Sequence, residues 1–378
     1  MVDSRNWFKT LPESRRRKLL ASQRNGLWLE LDGARLLNFA SNDYLGLSTH
    51  PEVCAATIQT IQEQGLGSGA SRLVSGDDPI LHQLEAELAA WKGFEDCLLV
   101  GSGMLANLGL LQALADRFTP IFSDKLNHAS LVDGARLSGA KVFRYPHLDA
   151  PTLEGLLKKH TADKRMIVSD GVFSMDGDTA DVQGLFQLAE TYDALLVIDD
   201  AHGTGTVGVE GQGLVAQAKL NGNARIIEVG TLGKSFGSYG AYILGTNEMI
   251  EGLRQRMRTM IYSTALPSAV LAGAQRSLAL IKQGDLVKRL HENIQFFLEH
   301  TSALNLLASD TAIQPVMMYS DGQALKASTA LREQGFFVPA IRPPTVPEGE
   351  ARLRITLSAL HTQEDILKLI QALHNIGS

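Results

Sequence analysis

Cysteine is all but missing from this sequence: Cys54 and Cys97 are the only two in 378 residues. They share no C-x-x-C spacing, so neither a disulfide framework nor a cysteine-built zinc site is supported, and reduced thiols are the simplest account. No apolar run approaches the roughly 20 residues needed to cross a bilayer, and the N-terminus lacks the apolar core of a signal peptide. A soluble, cytoplasmic protein is expected. Long blocks of one charge are lacking too. With 41 acidic and 35 basic residues the formal charge is -6, which implies neither a nucleic acid nor an anionic membrane as partner. The local exception, Arg15-Arg16-Arg17-Lys18, reads on its own as the solvated face of an N-terminal helix.

What is present is ordinary globular composition, 44% hydrophobic and 20% charged, in a chain long enough for two subdomains with sizeable cores. Residues 1–45 combine that helix with a small hairpin turning at Asp32-Gly33. Pro51 and Gly65 bracket a helix. Asp78 and Pro79 open another, with Ile80, Leu81, Leu84 and Leu88 as its apolar stripe. From Cys97 short apolar runs alternate with helical segments: 97–100, 121–122, 142–143, 166–168, 195–198, 226–229 and 242–244. This rhythm predicts a mainly parallel sheet covered by helices, a large domain spanning 46–275. Over 276–378 helices mix with shorter alternating segments, as in a smaller α+β domain. There Thr362 and Asp365 mark a helix start, and alternation puts Arg352 and Arg354 on one face of a strand, for which a solvated face is the plain alternative.

Thr231-Leu232-Gly233-Lys234-Ser235-Phe236-Gly237 follows the apolar run 226–229, at the carboxyl end of a strand where open α/β sheets bind their ligands. Gly233-Lys234-Ser235 could close a nucleotide-binding P-loop, but the first glycine of that pattern would fall on Glu228, whose carboxylate would face the phosphates. The glycine cluster 65–72 imitates a dinucleotide fingerprint but follows a helix instead of a strand, so that reading is discarded. Another strand ends in Asp199-Asp200-Ala201-His202-Gly203. Magnesium or another metal is a weak reading there without further convergent ligands. Asp199 and Lys234 together fit a different chemistry better: a carboxylate that keeps a pyridine nitrogen protonated, and an amine that forms an imine with the ring's aldehyde.

The strings 41–47, Asn127-His128-Ala129-Ser130, 171–178, 199–203 and Thr231-Leu232-Gly233-Lys234 resemble, in order, those of the α-oxoamine synthases, pyridoxal-phosphate enzymes of the aspartate-aminotransferase fold. Gly67 to Gly76 and Ala340 to Pro347 are similar to the branch that condenses L-alanine with a pimeloyl thioester, carried by coenzyme A or acyl carrier protein; glycine-using relatives usually differ at both. The resemblance implies pyridoxal 5'-phosphate as cofactor, no metal, and a homodimer with shared sites. Lys234 would anchor the cofactor and move the alanine α-proton. Asp199 would hold the pyridinium nitrogen, His202 the phenolic oxygen, and His128 would stack on the ring. The phosphate is expected at Gly103 and Met104, where a glycine turn opens a helix ending near Leu114. Met104 departs from the aromatic residue common in the family. Ser174 and Thr231 would add hydroxyl contacts, and Thr264 would reach a neighbouring subunit's phosphate. For the substrates, Arg354 with Asn42 would take the alanine carboxylate, Arg16 the acyl chain, and Thr345 lies where the family contacts substrate.

Overall fold

The computed structural model describes residue 7 and residues 19–208, 210–302 and 304–377. Arg15, Arg16 and Arg17, with the helix expected around them, lie outside the described residues.

The seven apolar runs form one sheet, in the order Asp96–Val100, Ala241–Gly245, Ile226–Thr231, Leu195–Asp199, Met166–Asp170, Ile121–Asp124, Val142–Tyr145. Ala241–Gly245 is antiparallel to both of its neighbours, and the remaining pairs are parallel. Six strands therefore point the same way, and Val100, Asp124, Asp170, Asp199 and Thr231 finish along one edge. The runs are continuously apolar because both faces are covered: Cys97, Leu99, Ile167, Leu196 and Ile198 pack into one core, while Leu98, Val100, Val168, Val197 and Val229 pack into another.

The bracketed helices form where their caps place them. Pro51–Gln64 starts after His50. Pro79–Lys92 is capped by Asp78, whose side chain accepts from the Ile80 amide, and it ends at Gly93 with a φ of 74°. Gly103–Leu114 is capped by Ser102, and Thr362 and Asp365 cap Gln363–Gly377 reciprocally. The hairpin of Trp28–Leu31 and Ala34–Asn38 gains Ser22–Asn25 on one side and, in parallel, Phe336–Phe337 on the other. A third sheet orders Ile313–Tyr319, Ala351–Thr356 and Ala340–Ile341. Its central strand continues past the segment after the hairpin, with Thr356 N donating to Phe39 O and Ala359 N to Tyr44 O.

Candidate active site

The ends of five of these strands and the segments that follow them meet at a single cavity of about 200 Å³, lined among others by Gly103, Met104, His128, Ser174, Asp199, His202, Thr231 and Lys234. Lys234 sits in a turn closed by Gly237 N donating to Lys234 O at 2.8 Å and fixed from the side by Ser235 Oγ on Thr204 O at 2.8 Å. Burial lowers its pKa to about 8, against the pull of the Asp199 and Asp170 carboxylates and with help from the Arg354 charge.

Asp199 is buried with both oxygens engaged: Oδ2 accepts from Asn107 Nδ2 at 2.6 Å and Oδ1 from Ala201 N at 3.1 Å. Asp200, the next residue, turns the other way. It accepts from Leu214 N and lies 3.6 Å from Lys92 Nζ, which also pairs with Glu228 in the closed core. Glu228, the residue that broke the phosphate-cradle pattern, is thus a core partner of Lys92. The two aspartates do not converge, and among the described residues no group of three His, Cys, Asp or Glu side chains could hold a metal.

His202 presents Nδ1 to the Tyr44 hydroxyl at 2.6 Å. Burial, with the charges of Lys234, Arg354 and His128, holds its pKa well below the usual histidine range, so it is neutral at pH 7. His128 opens toward the cavity; its pKa is lowered by burial and by Lys234, against Asp199. Its backbone N donates to Asp170 Oδ2 at 3.0 Å, and burial beside Asp199 raises the Asp170 carboxyl well above its ordinary value.

Arg354 is buried, not solvated. Its guanidinium donates to Ser174 O at 2.6 Å, Thr356 Oγ1 at 2.8 Å and Asn42 Oδ1 at 3.2 Å, so three segments meet on it. Arg352, also buried, grips Asp176, Met175 O and Glu350 and so secures the 171–178 loop. The solvated-face alternative fails for both arginines. Thr231 lines the cavity, but its hydroxyl hydrogen goes to Gly240 O at 3.1 Å. Thr345, in a turn closed on Arg342 O, and Thr264, bridged to Ser71, are exposed and outside the cavity lining. Met104 is 44% exposed at the cavity mouth.

Sequence reasoning assigned no role to Asn107, Ser130, Asp170 or Tyr44. A signal existed for Asn107, a buried amide inside the otherwise apolar stretch Leu105 to Leu111. For Tyr44 only its place in the string 41–47 hinted at a function.

The cavity's residues fit pyridoxal phosphate. They offer an amine whose pKa is lowered to about 8 for an aldehyde, a fixed carboxylate for a ring nitrogen, and a histidine nitrogen not engaged by Tyr44 for a phenolic oxygen. The open helix start suits an anion, for a Cβ built on Gly103 would meet nothing within 4 Å.

A model of the family described as aminotransferase class I and II matches residues 34–373. The chain is 47% identical over 364 residues to the 8-amino-7-oxononanoate synthase of Hydrogenovibrio crunogenus, covering 95% of this chain and 91% of that protein. The solved 8-amino-7-oxononanoate synthase of Francisella tularensis superposes with a TM-score of 0.78 at 31% identity, over 90% of this chain and 96% of that one. A serine palmitoyltransferase variant of S. paucimobilis, solved with a bound PLP-myriocin aldimine, gives a TM-score of 0.90 at 26% identity, over 95% and 92%. The chain belongs to the aminotransferase class I and II family and, within it, to the group of the 8-amino-7-oxononanoate synthases.

Proposed function

We propose that this chain catalyses the pyridoxal-phosphate-dependent condensation of L-alanine with a pimeloyl thioester, giving 8-amino-7-oxononanoate, CO2 and a free thiol, a step of biotin synthesis. The observation that carries the reading is the meeting of Lys234 and Asp199 in one cavity, in a chain of this family. Bound pyridoxal phosphate supplies an aldehyde that condenses with amines and an electron-poor ring that takes up the electron pair left when a C–H or C–CO2 bond breaks.

The protein's own groups then have these tasks. Lys234 Nζ, neutral often enough at physiological pH, accepts the alanine α-proton and later returns a proton to the same carbon. Asp199, its carboxylate fixed by Asn107 and Ala201, binds the pyridinium N–H. His202, held by Tyr44, turns its other nitrogen to the phenolic oxygen. His128 covers a ring face. The helix start at Gly103 and Met104, with Ser174, takes the phosphate. Arg354, placed by Ser174, Thr356 and Asn42, receives the alanine carboxylate through paired hydrogen bonds. Arg16 is assigned to the far carboxylate of the acyl chain. Exposed Thr264 and Met104 belong, in this reading, to a surface that a second copy covers.

Mass analysis of the product from L-alanine plus pimeloyl thioester tests the proposal. The protein yields the mass of 8-amino-7-oxononanoate, and Lys234→Ala lowers turnover by at least about a thousandfold, the scale of losing the proton-transfer group. Wild-type turnover by the variant, or product only from glycine or serine, defeats it.

A further inference from the structure

Asn107 lies in the middle of the Gly103–Leu114 helix and is fully buried. Its Nδ2 group donates twice, to Asp199 Oδ2 at 2.6 Å and to Ser130 Oγ at 2.8 Å. Turning the amide over would aim its oxygen at a carboxylate, which fixes its orientation. An amide nitrogen cannot accept, so Ser130 Oγ accepts here and must spend its single hydrogen elsewhere. His128 Nδ1 is 2.7 Å from that hydroxyl, and the Ser130 backbone N–H donates to the same nitrogen at 3.2 Å. Two donors on Nδ1 leave the imidazole proton on Nε2. One amide thus orients a carboxylate on a strand end and, through Ser130 Oγ, adds a second donor to the backbone N–H that holds the tautomer of a histidine on a different loop.

We propose that Asn107 is a positioning residue that ties Asp199 and His128 into one rigid unit, so that the groups for the ring's nitrogen and its face are arranged before the cofactor arrives. This deepens the reading given above and rests on it. Without Asn107 the Asp199 carboxylate would lose a charge-assisted donor and be freer to turn. The pyridinium contact would then be less well formed in both the resting and the reacting protein.

The test compares wild type, Asn107→Leu and Ser130→Ala, each stripped of cofactor and titrated with pyridoxal phosphate by visible absorbance. Nitrogen-15 spectra of histidine-labelled protein, assigned with His128→Gln, report the tautomer. Asn107→Leu is expected to weaken cofactor binding on the order of tenfold or more, and to lower kcat for α-hydrogen exchange of alanine with KM within about threefold. Ser130→Ala is expected to weaken cofactor binding less than Asn107→Leu does, while the His128 proton shifts from Nε2 alone toward a mixture of both nitrogens. Wild-type affinity together with an unchanged His128 spectrum in Asn107→Leu overturns the proposal. Should Asn107→Leu fail to fold, an unchanged tautomer in Ser130→Ala overturns it alone. If wild type itself develops no visible band with pyridoxal phosphate, the reading of the cavity falls, and this inference with it.

Discussion

Lys234 is useful because of where its proton sits. At a pKa of about 8 roughly one amine in ten is neutral at pH 7, against about one in three thousand for an ordinary lysine. The rate at which cofactor-free protein combines with pyridoxal phosphate should therefore climb with pH and level off with a midpoint near 8, read by stopped-flow absorbance; a midpoint above 10 would contradict this. The linked stability has a definite sign. Because the folded pKa is depressed, the unfolded chain holds the extra proton between pH 8 and the ordinary lysine value. Stability from this group thus rises with pH across that window, and the cost of the buried charge is fully present below it. Lys234, Asp199, His202 and His128 were legible in the sequence because each stands beside an apolar run or within a short string. Asn107 and Tyr44 were not, since their partners are 92 and 158 positions away and only the folded chain brings them together.

At the level of elements, the stretch 231–237 works because its last glycine lets two segments touch. Gly237 has a φ of 60°, and a Cβ placed there would lie 2.1 Å from the Ser48 amide nitrogen and 2.5 Å from the Leu47 carbonyl carbon. Both obstacles are backbone, so neither can swing aside. Gly237→Ala is expected to cost about 3 kcal/mol, from the left-handed conformation and the clash together. The check is a denaturant midpoint, and a value within about 0.5 kcal/mol of wild type would mean that the 231–237 turn is not locked onto residues 47–48. Helices bracketed by proline and glycine, Pro51–Gln64 and Pro79–Lys92, were readable because capping chemistry is local. The reversal of Ala241–Gly245 between two strands that run the other way was not, because an apolar run fits either direction and pairing is decided by distant partners.

Across the whole molecule, the site draws on parts remote in sequence. The large sheet supplies the amine, the carboxylate and the histidines. The C-terminal strand Ala351–Thr356 supplies Arg354, and the segment after the hairpin supplies Asn42 and Tyr44. Phe336–Phe337 pairing with Ala34–Asn38 joins the hairpin to the C-terminal part of the chain, so the groups read as meeting the amino acid are set against the cofactor cavity by tertiary pairing. No periodicity announces a two-residue strand. Borohydride reduction of the protein loaded with pyridoxal phosphate, followed by peptide mass analysis, examines the centre of this arrangement most directly. The expected result is a single stable pyridoxyl adduct on the peptide holding Lys234, with loss of the visible band. An adduct confined to other lysines, or none at all with the band intact, would contradict the assignment of Lys234 as the cofactor's anchor.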